Sequence, residues 1–169
     1  FEITYENDSS MSMTIINGEE RMKVENIQFG RTRVRALDTF RVEFPVFDSY
    51  INGTFRERVM KGKWHINYKE NYSIPFVAEY GRDFRFTNLK KETTIDLSGK
   101  WEVMFSPEDD PYPAIGVFKQ EGNKLTGTFL TETGDYRFLE GTIQGNKLYL
   151  SVFDGAHAFL FEGKVLEDE

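Results

Sequence analysis

The sequence contains no cysteine, and this absence excludes thiol nucleophiles, disulfide bonds and thiolate metal sites. It contains only two histidines, His65 and His157, which is few for a histidine-based metal site or catalytic triad. No apolar run approaches the roughly 20 residues that a membrane-spanning helix needs. Basic residues are outnumbered, with 21 Lys and Arg against 28 Asp and Glu. The net charge of −7 argues against nucleic acid or an anionic membrane as the partner.

Aromatic residues, in contrast, are abundant. The chain of 169 residues has 16 Phe, 8 Tyr and 2 Trp, and such side chains fit the pleated surface of a β-sheet. Short runs of alternating apolar and polar residues recur about every 8–12 residues, which is typical of sandwiches and barrels. We therefore expect an all-β chain. Residues 21–29 and 62–68 are each predicted to form one strand, and Asn17-Gly18 and Lys61-Gly62 are predicted turns.

One phrase occurs twice, as Val46-Phe47-Asp48-Ser49 and as Val152-Phe153-Asp154-Gly155. The preceding segments also align: residues 1–5 with 114–118, 11–15 with 125–129, and 22–27 with 138–143. The first copy carries an insertion around residues 31–39, in which Arg31, Arg33 and Arg35 alternate as in a strand extension. This self-similarity predicts two tandem antiparallel barrels or flattened barrels of the lipocalin or calycin type.

The repeat also predicts the domain boundaries. Residues 1–81 are expected to form the first β unit, 82–95 a charged linker and 96–169 the second β unit, in which the C-terminal strands are missing. The second unit opens with a strand around Trp101 that has no counterpart before Phe1. Each unit is therefore expected to be incomplete at one edge, with unpaired strand edges that can pair with another chain.

Four side chains are candidate ligand contacts, namely Trp64, Trp101, Tyr112 and His157. Each tryptophan follows Gly-Lys in a predicted strand, where an indole plugs the end of its own barrel or, alternatively, provides a stacking platform for a ligand. Tyr112 is expected in a loop at a barrel mouth, where ligands enter such folds. His157 follows the second Asp-Gly turn, and neither it nor His65 has the spacing of a metal site. No metal site is predicted.

Two carboxylates occupy equivalent places in the repeat, Asp48 and Asp154. An aspartate before Ser or Gly at a strand end caps the turn with its own side chain, and we expect this structural role. The alternative is a glycosidase-like pair, which requires the two carboxyl groups to lie about 5 to 10 Å apart in one cleft. The run Glu108-Asp109-Asp110 is expected to be a solvated loop, with a calcium site as the alternative. No catalytic residue and no cofactor are predicted.

The chain resembles a known family over nearly its whole length, and the phrases that carry the resemblance lie in its second half. The relevant phrases are Leu97-Ser98-Gly99-Lys100-Trp101-Glu102-Val103, Ala114-Ile115-Gly116-Val117-Phe118-Lys119-Gln120, Leu125-Thr126-Gly127-Thr128-Phe129, Gly134-Asp135-Tyr136-Arg137-Phe138-Leu139-Glu140-Gly141 and Phe153-Asp154-Gly155-Ala156-His157-Ala158-Phe159. Together they resemble the N-terminal β region of the TlpA-like thiol-disulfide oxidoreductases of the Bacteroidetes. In that family the region precedes a thioredoxin-like domain with a Cys-x-x-Cys pair, and the protein acts outside the cytoplasm. No residue of this chain can stand for the redox cysteines.

Three hypotheses about function follow. The first is a noncatalytic β module in the periplasm or cell envelope, which positions or recruits a partner for a C-terminal thioredoxin-like domain. The second is a calycin-like protein that binds a small apolar or aromatic ligand inside one barrel, and a filled interior would exclude it. The third is a hydrolase that uses Asp48 and Asp154.

Overall fold

The computed structural model describes residues 1–7, 10–25, 27–32, 37–87, 93–106 and 110–166. Within these ranges the chain forms fourteen β-strands, and the one helical element is a 3₁₀ turn over Pro45–Phe47. The strands are β1 (Glu2–Asn7), β2 (Ser10–Asn17), β3 (Glu20–Val24), β4 (Ile27–Arg31), β5 (Asp38–Phe44), β6 (Ser49–Arg56), β7 (Val59–Ile66), β8 (Ser73–Glu79), β9 (Gly99–Phe105), β10 (Tyr112–Glu121), β11 (Lys124–Thr131), β12 (Gly134–Gln144), β13 (Lys147–Phe153) and β14 (Ala158–Lys164). The all-β prediction is confirmed. None of the described residues belongs to a helix long and apolar enough to cross a membrane.

The strands form three antiparallel sheets, one of which is a half-barrel. The sheet orders are β1-β2-β3, β4-β5-β6-β7-β8 and β14-β13-β12-β11-β10-β9. In each sheet, neighbouring strands are also consecutive in sequence, as expected when short turns connect antiparallel strands. The finer prediction of two tandem barrels stays a prediction.

The chain divides into two compact units. Unit 1 contains Phe1–Ile16, Arg21–Asp83 and Phe153–His157, and unit 2 contains Asn17–Glu20, Phe84–Val152 and Ala158–Glu169. Each unit thus combines segments that are distant in sequence. The predicted boundaries divide the chain into continuous stretches and therefore do not include these short segments from elsewhere in the sequence. Residues 88–92 of the predicted linker lie outside the described residues.

The core of unit 1 receives side chains from both of its sheets. On β5, Phe40, Val42 and Phe44 are buried while the residues between them are half-buried, which is the two-residue period of a strand with one face on the core. The three-stranded sheet adds Met13, Ile15 and Val24 to the same cluster. The remaining buried members are Ile51, Trp64 and Ile66.

The core of unit 2 lies on one face of the six-stranded sheet. Its centre is aliphatic, since Leu125, Leu139, Ile143 and Leu150 are fully buried and Leu97 almost so. Phe118, Phe129 and Val152 complete the buried cluster. Burial of each such side chain stabilises the fold by about 2 kcal/mol, because it removes apolar surface from contact with water.

The predicted turn at Lys61-Gly62 is wrong, because both residues lie within β7. The actual hairpin turn is at Glu57 and Arg58, where Glu57 has a φ of 57°. Gly62 is required for close packing and not for a turn: a Cβ at this position would lie 2.2 Å from the carbonyl oxygen of Asn52 and 2.8 Å from the ring of Phe76.

The single strand predicted for residues 21–29 is also wrong. β3 ends at Val24 and β4 begins at Ile27, and the two strands belong to different sheets. The Ile27 N–H donates a hydrogen bond of 2.9 Å to the carbonyl oxygen of Glu25 at the break. The apolar positions change here from 22 and 24 to 27 and 29, so the alternation shifts by one residue at the break, and the single-strand prediction did not take this shift into account. The predicted extension with Arg33 and Arg35 lies outside the described residues.

Candidate partner-binding site

Unit 2 presents a group of partly exposed aromatic rings along the open side of its sheet. Phe105 is the last residue of β9, Tyr112 the first of β10 and Tyr136 lies near the start of β12, while Phe159 and Phe161 lie on β14. Tyr112 is 37% exposed and the other four rings are half-buried. We call these five residues the aromatic edge.

The rings of the aromatic edge contact one another directly. Phe105 has its ring centroid 5.0 Å from that of Tyr112 and 5.7 Å from that of Phe161. Tyr136 lies 5.0 Å from Phe159 and 5.2 Å from Phe161, both with nearly perpendicular rings. Such edge-to-face pairs are each worth about 1 kcal/mol beyond the area that they bury. The cluster is therefore ordered without being fully covered.

The sheet order explains why these rings remain half-exposed. β9 and β14 are the first and last strands of the six-stranded sheet, and each is hydrogen-bonded to one neighbour. The rings of Phe105 and Phe161 contact each other across the gap between these two edge strands. In a closed barrel, backbone hydrogen bonds would join the two strands at this place. Beneath them Phe129 is 3% exposed and lies 4.9 Å from Phe105 and 5.1 Å from Phe161. The interior below the edge is filled by the protein's own side chains.

Two phenol groups add polarity to this edge. The side chains of Tyr112 and Tyr136 lie close enough for their phenol groups to interact. Desolvation, followed by the interaction with Tyr136, raises the pKa of Tyr112 above its ordinary value, so the Tyr112 phenol is neutral at pH 7. The pair offers a donor and acceptors beside apolar rings, which suits a partner surface that carries both kinds of group.

The two predicted indoles lie in different units and differ in their polar contacts. Trp101 in unit 2 donates from Nε1 to the carbonyl oxygen of Leu97 at 2.9 Å. Trp64 in unit 1 is 4% exposed, and its Nε1 has no hydrogen-bond partner among the described atoms. Its ring contacts those of Tyr72 and Phe153 edge to face. Both indoles pack in the cores of their own units.

In unit 1 the two copies of the repeated phrase come together. The buried Ser49 hydroxyl donates to the carbonyl oxygen of Gly155, which is the equivalent residue of the second copy. Phe153 lies with its ring centroid 5.6 Å from that of Phe44. Gly155 has a φ of 89°, and a Cβ there would lie 2.8 Å from the ring of Phe47. The residues of the two copies are thus closely packed against one another.

The aspartates of the phrase form different contacts. Asp154 Oδ1 accepts from the backbone N–H groups of Ala156 and His157, at 2.8 and 2.6 Å, and Oδ2 lies 3.3 Å from His157 Nδ1. Asp48 has a φ of 48°, and its Oδ1 accepts from the side chain of Asn67 at 2.7 Å. Asp154 thus caps a turn with its own side chain, whereas Asp48 accepts a hydrogen bond from Asn67, in the connection between β7 and β8. His157 is exposed beside Asp154.

A polar group that the sequence did not reveal lies in unit 2. Arg85 Nη1 donates to the Ser151 carbonyl oxygen at 2.7 Å, Nη2 donates to Asn17 Oδ1 at 3.1 Å, and Nε lies 3.8 Å from Glu140 Oε1. The side chains of Arg85 and Glu140 are only 24% and 14% exposed. Burial lowers the pKa of Arg85, and the charge of Glu140 opposes this effect. Glu140 Oε2 also accepts from the Gly18 N–H at 2.9 Å, so this network joins three distant segments.

The chemistry available to these sites is limited. The described residues include no group of three or more His, Asp or Glu side chains that could hold a metal ion. Glu108 and Asp109, from the alternative calcium loop, lie outside the described residues. The structure places Trp64, Asp48, Asp154 and His157 in unit 1 and Trp101 and Tyr112 in unit 2. Of the predicted contacts, Tyr112 belongs to the aromatic edge.

No protein-family model matches this chain, and neither a curated protein nor a solved structure does.

Proposed function

We propose that this chain is a noncatalytic β module that acts in the periplasm or cell envelope beside a thioredoxin-like thiol-disulfide oxidoreductase domain and binds a protein partner there. The single observation that carries the binding function is the aromatic edge of unit 2. Partly exposed aromatic residues that are held rigid by their neighbours are the usual anchors of protein interfaces, because they bury a large area at a small cost in side-chain entropy. The accessory role rests on the resemblance to the TlpA-like family.

The resemblance and the aromatic edge involve the same part of the chain. The similar phrases include Tyr136 and Phe159, and they cover most of β10, β11 and β12. In this proposal the two units are tandem flattened barrels of the calycin type, each incomplete at one edge. The gap between β9 and β14 is the incomplete edge of unit 2, and it supports this interpretation. A sequence without cysteine leaves all thiol chemistry to the adjacent domain.

The direct test is binding to the thioredoxin-like domain of the parent protein, produced separately and titrated by calorimetry. We expect saturable binding, and we expect Phe159→Ser to weaken it by about tenfold, since loss of a central aromatic contact costs about 1 to 2 kcal/mol. Leu160→Ser is the matched control, because Leu160 lies on the same strand, points to the other face and is 70% exposed. Absence of binding, or an equal loss in both variants, would contradict the proposal.

A second candidate function is binding of a small apolar or aromatic ligand, and the Tyr112–Tyr136 hydroxyl pair favours it. Because Phe129 and the leucines fill the interior, the ligand would lie on the aromatic edge and hydrogen-bond to one phenol. The probe is 1-anilinonaphthalene-8-sulfonate, whose fluorescence rises on apolar surfaces. We expect Tyr136→Phe to reduce its affinity and Tyr5→Phe, at a residue that is 76% exposed in unit 1, to leave it unchanged. Equal fluorescence in all three proteins would exclude this site.

A further inference from the structure

The five-stranded sheet of unit 1 has one face on the core and one face exposed. On β7, Trp64 and Ile66 are buried, so Lys61, Lys63 and His65 lie on the outer face. This outer face is independent of the aromatic edge, which belongs to unit 2.

The strand register places polar residues beside these cations. Lys61 lies opposite Thr54, and Lys63 lies opposite Asn52, which pairs in turn with Arg41 of β5. His65 lies opposite Tyr50. We call the six residues of this surface the basic face: Arg41, Asn52, Thr54, Lys61, Lys63 and His65.

The positive charges of the basic face are only partly neutralised. Arg41 forms an ion pair with Glu43, and its guanidinium lies 3.5 Å from the ring centroid of Tyr50. Lys61 and Lys63 are exposed, and neither has an ion-pair partner among the described residues. A local excess of positive charge in a chain of net charge −7 indicates attraction to a sparsely charged anion.

The hydrogen-bonding groups of the face are held in place. His65 stacks on Tyr50 with ring centroids 4.6 Å apart and an angle of 12° between the planes. Its Nε2 lies 3.2 Å from Asn52 Oδ1, and since an amide oxygen only accepts, Nε2 is the donor and Nδ1 is left as an acceptor. The Asn52 amide nitrogen and the Thr54 hydroxyl extend this set along β6.

A groove and two apolar side chains adjoin the lysines. The groove has a volume of about 410 Å³ and is lined by Thr54, Arg56, Glu57, Val59 and Lys61. On β8, Val77 lies opposite Lys61 and is 61% exposed, and Pro75 lies opposite Lys63. The surface therefore alternates cations, hydrogen-bonding groups and apolar patches within one sheet.

We propose that the basic face binds an acidic polysaccharide that carries carboxylates on its sugar rings. The carboxylates pair with Lys61 and Lys63, the sugar hydroxyls hydrogen-bond to Asn52 and His65, and the apolar ring faces contact Val77. Nucleic acid is a poor fit, because its dense phosphates require more clustered cations than this face offers. A neutral polysaccharide would leave both lysines without a counter-charge.

The test is calorimetric titration of the whole chain with oligogalacturonate, at low and at physiological salt. We expect binding that weakens with salt, and a loss of about tenfold in the double variant Lys61→Gln/Lys63→Gln, which removes two charge-assisted contacts. Asn52→Ala is expected to weaken binding without any change in net charge. Lys100→Gln/Lys164→Gln is the matched control, since both residues are exposed strand lysines of unit 2 and the charge change is the same.

Three results would overturn the proposal: no binding of oligogalacturonate, an equal loss in the two double variants, or equally tight binding of polyglutamate. The last result would identify an acidic protein segment as the ligand class. We expect each lysine variant to keep its fold, because all the substituted lysines are exposed. Circular dichroism of each variant shows whether a loss of binding comes from a loss of the fold.

Discussion

Unit 1 and unit 2 contain aligned copies of one sequence pattern, yet one copy breaks where the other continues. In unit 2, β12 is one strand from Gly134 to Gln144, with a bulge in its pairing to β11 at Phe138, whereas in unit 1 the aligned segment ends at Val24 and resumes at Ile27 in another sheet. The residue aligned with Gly141 of β12 is Glu25, immediately after the break. A Cβ on Gly141 would lie 1.7 Å from the carbonyl oxygen of Tyr149. We therefore expect the residue at this position to contribute to the difference between the continuous and the broken strand.

The largest expected effect comes from exchanging that residue. Gly141→Glu should separate β12 from β13, because the backbone of Tyr149 cannot move away from the new Cβ without losing ladder hydrogen bonds. We expect a loss of about 3 kcal/mol or more in the free energy of unfolding of unit 2. Hydrogen exchange of the β12 and β13 amides measures it.

Gly163→Ala on β14 is the control for this variant, since its Cβ would meet only the flexible side chain of Leu148, at 3.2 Å or more. It should cost less than about 1 kcal/mol. If Gly141→Glu left exchange in β12 unchanged, the difference between the two copies would need another cause.

The second contrast concerns buried polar groups. Unit 2 holds the Arg85–Glu140 pair, and Arg85→Met should leave Glu140 and Asn17 without their guanidinium partner. Since both charged groups are largely but not fully buried, we expect a loss of about 2 kcal/mol. Urea denaturation followed by tryptophan fluorescence reports on unit 2 when it is measured in a Trp64→Phe background, in which Trp101 is the remaining indole. Arg82→Met, in a half-exposed pair with Glu79 in unit 1, should change stability by less than about 0.5 kcal/mol.

The two indoles provide the third contrast. Trp101→Phe removes a hydrogen bond to the buried Leu97 and should cost about 1 to 2 kcal/mol. Trp64→Phe removes an N–H that has no partner, so relief of its desolvation offsets the loss of ring contacts, and we expect a change below about 1 kcal/mol. Urea denaturation by circular dichroism compares them. A greater loss for Trp64→Phe would show that ring packing outweighs the unpaired donor.

Local patterns predicted much of this fold, and distant contacts explain what they missed. The alternation in β5 depends on neighbouring residues alone, so this strand and its buried face follow from the sequence. The break after Val24 coincides with a one-residue shift in the alternation, whereas the burial of Arg85 depends on Asn17 and Ser151, which are far away in sequence. The aromatic edge was missed for a similar reason. Phe105 and Phe161 follow the same alternation as any core residue, and only the open sheet makes them accessible.

The smallest expected effect is a loss of stability between about pH 5 and 7 that arises from histidine. It is confined to unit 1, because both histidines lie there. Burial, followed by the charges of Lys63 and Arg41, lowers the pKa of His65 below its ordinary value of 6.5. The unfolded chain therefore takes up this proton first as the pH falls, so unit 1 loses stability as the pH falls through about 6.5 and the loss levels off below the folded-state pKa. Titration of the His65 ring by NMR measures its pKa, and amide exchange of β6 and β7 between about pH 5 and 7 measures the loss of stability.

Two variants separate the causes of this pH dependence. His65→Gln should remove the contribution of His65, and Lys63→Gln should move the pKa of His65 back toward 6.5, because one repelling charge is gone. An unchanged pKa of His65 in Lys63→Gln would mean that burial and Arg41, without Lys63, depress it.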